Sequence, residues 1–251
     1  MIARINILGV HVSAINMDQA LETIAGWVED RKAHYVCVLP AHVVMDCRKD
    51  PALRGILNGS GMTTPDGMSL VWLLRWHGYR QAERVYGPDL MLEVCRVSEK
   101  KEWRHFFYGG APTVPEELAG RLQTRFPNMQ IAGVYSPPFR LLTDTEDQAV
   151  VERINASRAD IVWVGIGSPR QEAWMAEHNG KLNAPVLIGV GAAFDFLSGR
   201  KRQAPRWVQH AGLEWLFRLS AEPRRLGRRY AQYPLFGLLV LLQSLGISRY
   251  D

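Results

Sequence analysis

One carboxylate in an unusual setting raises the question of chemistry in this 251-residue chain. Asp66 lies in "TTPDGMSLVWLLRW", where Thr63, Thr64 and Pro65 place it in a turn before Gly67 and an apolar helix follows. A carboxylate there can cap the helix, or it can serve as a general base whose pKa is set by partial burial. Thr64, in the same turn, is a candidate substrate contact, and so is His42, which follows a strand. The next stretch, "ERVYGPDLM", brings Arg84 and Asp89 onto a Gly-Pro turn soon afterwards. Three glycine turns supply a second kind of chemistry: Gly109-Gly110, the run from Gly167 and Ser168 to Gln171 and Glu172, and Gly191 leading to Asp195. Backbone N–H groups at such turns can receive phosphate oxygens. Asp195 is a rival base that reads better as a loop or sheet-packing carboxylate, and His210 reads as a packed histidine.

These residues need a scaffold, and the pattern around them supplies one. "RINILGV", "YVCVL", "HFFYG", "MQIAGVY", "DIVWVGIG" and "VLIGVG" read as strands, with amphipathic helical stretches such as "NMDQALETIAGWVED" and "TVPEELAGRLQTRF" between them. The alternation predicts an α/β fold: a Rossmann-like, mostly parallel sheet with helices on both faces, followed by a basic helical C-terminal appendage. Ligands of such sheets sit beyond the carboxyl ends of the strands, where all three glycine turns fall. The expected division is residues 1–199 as an α/β catalytic domain with a nucleotide-type pocket and residues 200–251 as the appendage.

Charge is segregated. Residues 200–251 hold ten of the 30 lysines and arginines but three of the 25 acidic residues, so the positive excess is at the C-terminal end. Such a segment points to an anionic partner. Cys37, Cys47 and Cys95 have neither metal-ligand spacing nor an even count, and read as buried free thiols of a reducing cytoplasm. Neither "GIGSPR" nor "GVGAAF" completes the dinucleotide fingerprint, and no P-loop, H-E-x-x-H or G-x-S-x-G motif is present. A membrane-associated oxidoreductase and a basic nucleic-acid-binding module are the alternatives. The missing fingerprint weighs against the first. The apolar run after the basic residues has no use in the second, so no nucleic-acid partner is expected.

In order along the chain, "TPDGMSLVW", "RVYGPDLM", "FYGGAP", "GIGSPRQEAWM", "GVGAAFDFLSG" and "APRWVQHAGLEWLFRLSAEPRRLGRR" resemble the WecG/TagA/CpsF family of bacterial glycosyltransferases. The resemblance implies an inverting enzyme at the cytoplasmic face of the cell membrane. Such an enzyme moves a sugar from a nucleotide donor, usually a UDP-sugar, to a polyprenyl-diphosphate-linked saccharide of teichoic acid, common antigen or exopolysaccharide synthesis. By position, Asp66 matches the family's proposed base, Arg84 an arginine near the active site and Gln171 the glutamine of the donor pocket. Arg218, Arg224, Arg225 and Arg228 fall in the appendage thought to close over the site and hold the diphosphate. Two positions depart from the family pattern: Pro40 stands where an Asn is frequent, and Gln203 where a basic residue precedes Ala-Pro.

No D-x-D occurs, and "TDTED" at 143–147 reads as a solvated loop and helix start, so no metal cofactor is expected. Arginines and turn amides would then stabilise the leaving diphosphate. From Leu235 to Ile247 an apolar run of 13 positions is interrupted only by Gly237, Gln243, Ser244 and Gly246. As a helix this run rises ~20 Å, short of the ~30 Å hydrocarbon core. With arginines before it and Tyr230 and Tyr233 at the junction, it reads as an interfacial anchor on an anionic membrane surface. The alternative is packing on the chain's own core or on a second subunit of a homo-oligomer.

Overall fold

The computed structural model describes residues 2–250, with the side chains of Arg225, Arg228 and Arg229 outside the described set. Its strands are β1 (Arg4–Ile7), β2 (Val10–Ser13), β3 (His34–Leu39), β4 (Met62–Pro65), β5 (Arg104–Gly109), β6 (Gln130–Tyr135), β7 (Ile161–Gly165) and β8 (Val186–Gly189). The helices in the first half are α1 (Met17–Glu29), α2 (Ala41–Cys47), α3 (Pro51–Gly59), α4 (Met68–Trp76), α5 (Gly87–Lys101) and α6 (Val114–Arg125). Those in the second half are α7 (Asp144–Ser157), α8 (Arg170–His178), α9 (Ala193–Leu197), α10 (Arg206–His210), α11 (Glu214–Ala221), α12 (Pro223–Tyr230) and α13 (Tyr233–Ser244). A six-stranded sheet runs in the order β4-β3-β8-β7-β5-β6, all parallel and flanked by helices, as the alternating pattern predicts.

The chain forms two compact units, each of discontinuous segments: residues 1–16, 39–86 and 203–251 make one, and residues 17–38 and 87–202 the other. The second unit holds β8, β7, β5 and β6. Its core is aromatic and aliphatic, with Phe106, Phe107, Tyr108, Trp163 and Phe194 at 2% exposure or less. Fully buried parallel strands read as near-continuous apolar runs, which is why "HFFYG" and "DIVWVG" were legible. The "TDTED" stretch opens α7 through a capping box, with the Thr143 side chain and Glu146 each accepting from the other's backbone. Cys37, Cys47 and Cys95 are buried free thiols.

The first unit departs from the sequence reading at two strands. "RINILGV" is not a strand of the parallel sheet: Leu8 (φ 52) and Gly9 (φ 90) reverse the chain, and β1 pairs antiparallel with β2. Two residues in the left-handed region between paired strands are the geometry of a tight hairpin. Asn6 fixes it by accepting from Gly9 N at 2.8 Å. The "MTTP" stretch, expected as a turn, is the fully buried strand β4 at the sheet edge, where Pro65 can close a strand because the ladder ends there.

The C-terminal helices belong to the first unit. Phe236 and Val240 of α13 are buried, while Leu235, Leu238, Leu241, Leu245 and Ile247 are exposed. Gln243 ties the helix to the hairpin, donating to Asn6 O and accepting from Leu8 N, both at 3.0 Å. At 12 residues, α13 rises ~18 Å. Among the described residues, no helix is long and apolar enough to cross a membrane.

Candidate active site

Asp66 follows β4 directly, and its N–H donates to Leu39 O at 3.1 Å. It does not hold the N-cap position of the following helix, which belongs to Gly67. Thr64 is fully buried and donates its hydroxyl to Val85 O at 3.2 Å, while Val85 N donates to Pro65 O at 3.1 Å. Those bonds fasten the segment bearing Arg84 to the strand end bearing Asp66. Thr64 thus holds the strand and does not line the cavity described below.

Arg84 is the centre of a buried charge cluster. Its Nε donates to the backbone oxygen of Asp66, and its Nη2 lies 2.5 Å from Glu214 Oε2 and 3.7 Å from Asp66 Oδ1. The guanidinium stacks 4.0 Å above the Tyr86 ring, and the Tyr86 hydroxyl donates to Glu214 Oε1 at 3.2 Å. Burial opposes the charge on Arg84, but Asp66, Glu214 and the hydrogen bond to Glu214 outweigh it and hold its pKa above the ordinary value. The Tyr86 hydroxyl is pushed up by burial, then by Glu214 and Asp66, so it stays protonated and donating. Arg218, one helical turn after Glu214, lies 3.9 Å from its carboxylate. Burial also works against its charge, and Tyr230, Glu214 and Asp66 more than restore it.

The charged members of this cluster line one cavity of about 490 Å³, within the size range of small-molecule sites. Asp66, Arg84, Glu214 and Arg218 form its polar part. His42, buried in α2, lines it too, its ring set edge-on to Tyr230 at 6.4 Å. The remaining wall is largely apolar, with Trp72 and Trp76 of α4 and Trp215, Tyr233, Phe236 and Val240 from the C-terminal helices. Pro40, where the family pattern often has Asn, also lines the cavity.

Glu214 is the residue that sequence reading missed. It sits in the first turn of α11 at 8% exposure, and the one available signal was an acid amid an otherwise basic segment. Of the appendage arginines, Arg218 reaches the cavity and Arg224 is exposed without lining it. The side chains of Arg225 and Arg228 lie outside the described residues. His210, expected to pack, is exposed, because the short α10 buries Val208 and Gln209 instead.

The other sequence candidates lie in the second unit. Because β5, β7 and β8 are neighbours, their turns bond to one another. Gly110 N donates to Gly165 O at 3.0 Å and Gly191 N to Val164 O at 3.4 Å, so those two amides are engaged where free N–H groups were expected. Gly109 (φ 131) has no room for a side chain, as a Cβ there would meet Gly165 C at 2.5 Å; Gly167 (φ 82) faces open space. Gln171 and Glu172 open α8 at 4% and 1% exposure, with Gln171 Nε2 donating to Glu172 Oε1 at 3.0 Å. Among the described residues, Gln171 Oε1 and Glu172 Oε2 have no hydrogen-bond partner. Burial raises the Glu172 pKa, against which the bonds from Gln171 and Ser168 work. Asp195 pairs with Lys201 at 3.3 Å. Among the described residues, no group of three or more His, Cys, Asp or Glu side chains is placed to hold a metal ion.

A buried carboxylate beside two arginines, in a cavity with an aromatic wall, suits transfer chemistry on a phosphorylated, amphipathic substrate. Comparison with known proteins points the same way. A relative from Bacillus subtilis (strain 168) is 29% identical over 219 residues, covering 87% of this chain and 83% of its own length. One from Staphylococcus aureus (strain NCTC 8325 / PS 47) is 27% identical over 228 residues, covering 90% and 88%. Both carry the name N-acetylglucosaminyldiphosphoundecaprenol N-acetyl-beta-D-mannosaminyltransferase. The family model described as glycosyl transferase WecG/TagA/CpsF matches residues 5–250, and this chain belongs to that family.

Proposed function

We propose that the protein is an inverting glycosyltransferase that uses a UDP-sugar and a polyprenyl-diphosphate-linked saccharide, working as a peripheral protein at the cytoplasmic face of the membrane. The observation that carries this reading is the joining, in one cavity, of the Asp66 carboxylate, two arginines and an aromatic wall. Asp66 takes the proton of the acceptor hydroxyl as that oxygen attacks the anomeric carbon. The bond from that carbon to the donor phosphate oxygen breaks on the opposite face, and the nucleoside diphosphate leaves with the bonding pair. Arg84 and Arg218 supply positive charge for diphosphate oxygens, a task that guanidinium groups perform through paired N–H donors. Glu214 is a positioning residue, because its carboxylate holds Arg84 at 2.5 Å and keeps that guanidinium from closing on Asp66.

Gln171 is the donor contact implied by the family resemblance, and its buried, unpartnered Oε1 is suited to accept from an N–H or O–H of the nucleotide. The relatives' names favour an N-acetylglucosaminyl-diphosphate lipid as acceptor and an N-acetylmannosamine-type sugar as donor group. Metal independence is supported by the missing D-x-D and by the arginines beside Asp66. The exposed leucines of α13, after a basic segment, suit an anionic lipid surface.

The test is incubation of the purified protein with a panel of UDP-sugars and a short-chain prenyl-diphosphate-N-acetylglucosamine, with and without excess chelator. Transfer with inversion, undiminished by chelator, is expected. Absence of transfer from every nucleotide sugar overturns the reading, and strict dependence on added Mg²⁺ or Mn²⁺ overturns its metal-free part.

A further inference from the structure

The cavity around Asp66 has more apolar wall than sugar chemistry requires. Trp72 and Trp76 line it while remaining 54% and 81% exposed, a large aromatic area left in water on one helix. To the same cavity, α13 contributes Tyr233, Phe236, Gly237 and Val240. Gly237 is informative because glycine weakens a helix interior relative to alanine. A Cβ built there meets nothing within 4 Å, so the position leaves open space where a side chain would fit. Nucleotide, diphosphate and sugar are polar, and none of them accounts for such a wall. A ligand with a diphosphate head and a hydrocarbon tail matches both parts at once.

We infer that this wall is a subsite for the first isoprene units of the lipid carrier, between Trp72 and Trp76 of α4 and Tyr233, Phe236 and Val240 of α13. The inference rests on the function proposed above. The charged end fixes the diphosphate near Arg84 and Arg218, and the tail leaves along the aromatic wall. Leu238, Leu241 and Leu245, exposed on or just after the same helix, give the tail an apolar route outward to lipid. The subsite thereby selects acceptors by the hydrocarbon next to the diphosphate, a selection that bulk partition into a bilayer cannot make.

The test uses the full chain, without vesicles or detergent, and acceptors kept below their micellar concentrations. They share one sugar-diphosphate head and carry a methyl group, one isoprene unit or two. For the wild type, kcat/KM is expected to rise at least ~10-fold from methyl to one isoprene unit, the scale of burying several CH₂ groups. In Gly237→Leu, which fills the wall with a better helix former, the ratio between tailed and tail-less acceptors should fall toward one. Trp72→Ala, on α4, should lower the same ratio, and thermal melts establish that both variants are folded. Wild-type transfer that is indifferent to the tail, or a full tail preference retained in both folded variants, overturns the subsite and leaves the glycosyltransferase reading standing. Failure of the wild type with every acceptor, including a long-chain one in vesicles, overturns that reading and the subsite together.

Discussion

Glu214→Gln tests the electrostatics of the site most directly, since it removes one charge and keeps the side-chain shape. Arg84 Nη2 lies 2.5 Å from Glu214 Oε2 and 3.7 Å from Asp66 Oδ1, and the three side chains are between 11% and 16% exposed. With the Glu214 charge gone, Asp66 is the carboxylate toward which Arg84 is drawn. Closing that gap to ~2.8 Å, an ordinary charge-assisted distance, at an effective dielectric constant of ~20 gains about 1.4 kcal/mol, or about one pKa unit. The pairing favours the ionised carboxylate, so the Asp66 pKa falls and its strength as a base falls about tenfold. The acid limb of the pH–kcat profile should therefore move down by about one unit. The plateau should drop about three- to tenfold, because proton transfer feels only part of the change in base strength.

Stability responds separately. Breaking a fully buried ion pair costs ~3–5 kcal/mol and an exposed one ~0–1, so the slight exposure here and the new contact with Asp66 put the loss near 2–3 kcal/mol. For a chain of this size that lowers Tm by about 5–10 °C. The assay is the pH profile of kcat for wild type and variant beside thermal melts of both. A lowered Tm with an unmoved acid limb would make Glu214 a fold contact alone and refute its coupling to Asp66.

Three other perturbations have definite outcomes. Asp66→Asn should retain the fold and donor binding but lose ~10²-fold or more in turnover, measured by product formation at saturating substrates; near-normal turnover rules out Asp66 as the base. Replacing Leu238 and Leu241 together by Gln removes two exposed leucines of α13 without touching the buried Phe236 and Val240. Binding to anionic vesicles should weaken by ~10-fold or more in co-sedimentation, and undiminished binding means that this face does not meet lipid. Burial raises the Glu172 pKa above its ordinary 4.5, so the folded state binds the extra proton and stability falls as pH rises from 4.5 through the folded value. Glu172→Gln should gain stability over wild type at neutral pH but not below 4.5, and parallel melting curves at both pH values would contradict that assignment.

How far the fold was legible follows from where each element gets its pattern. The buried parallel strands announce themselves as continuous apolar runs, and α7 through its capping box. The hairpin at Leu8-Gly9 does not, because Leu is a poor residue for the left-handed region and hides the turn. What holds it is Asn6 locally and Gln243 from the far end of the chain, bonded to Leu8 N at 3.0 Å. β4 was hidden for a related reason: Thr-Thr-Pro reads as a turn when its burial against the hairpin is unseen. Ser13 N and Thr63 N each donate to the other residue's hydroxyl at 3.2 Å, a reciprocal contact across 50 residues that leaves no local trace.

The candidate site divides in the same way. Asp66 and Arg84 could be singled out because the neighbouring Gly67 and Gly87-Pro88 leave a local signature in the sequence. Glu214 has only its sign to give it away, since its partners Arg84 and Tyr86 lie 130 and 128 residues earlier. Yet that sign carried information. In a segment with ten basic residues, a buried acid must neutralise something, and Glu214 takes the inner arginine, Arg84, at 2.5 Å and the segment's own Arg218 at 3.9 Å. The positive charge of residues 200–251 is therefore not all directed outward: Arg218 and Glu214 turn inward to the cavity, while Arg224 stays exposed. A basic appendage that sends one acid and one base inward beside Asp66 is part of the site's electrostatics as well as a candidate surface for lipid, and that dual use explains why composition alone registered only the second.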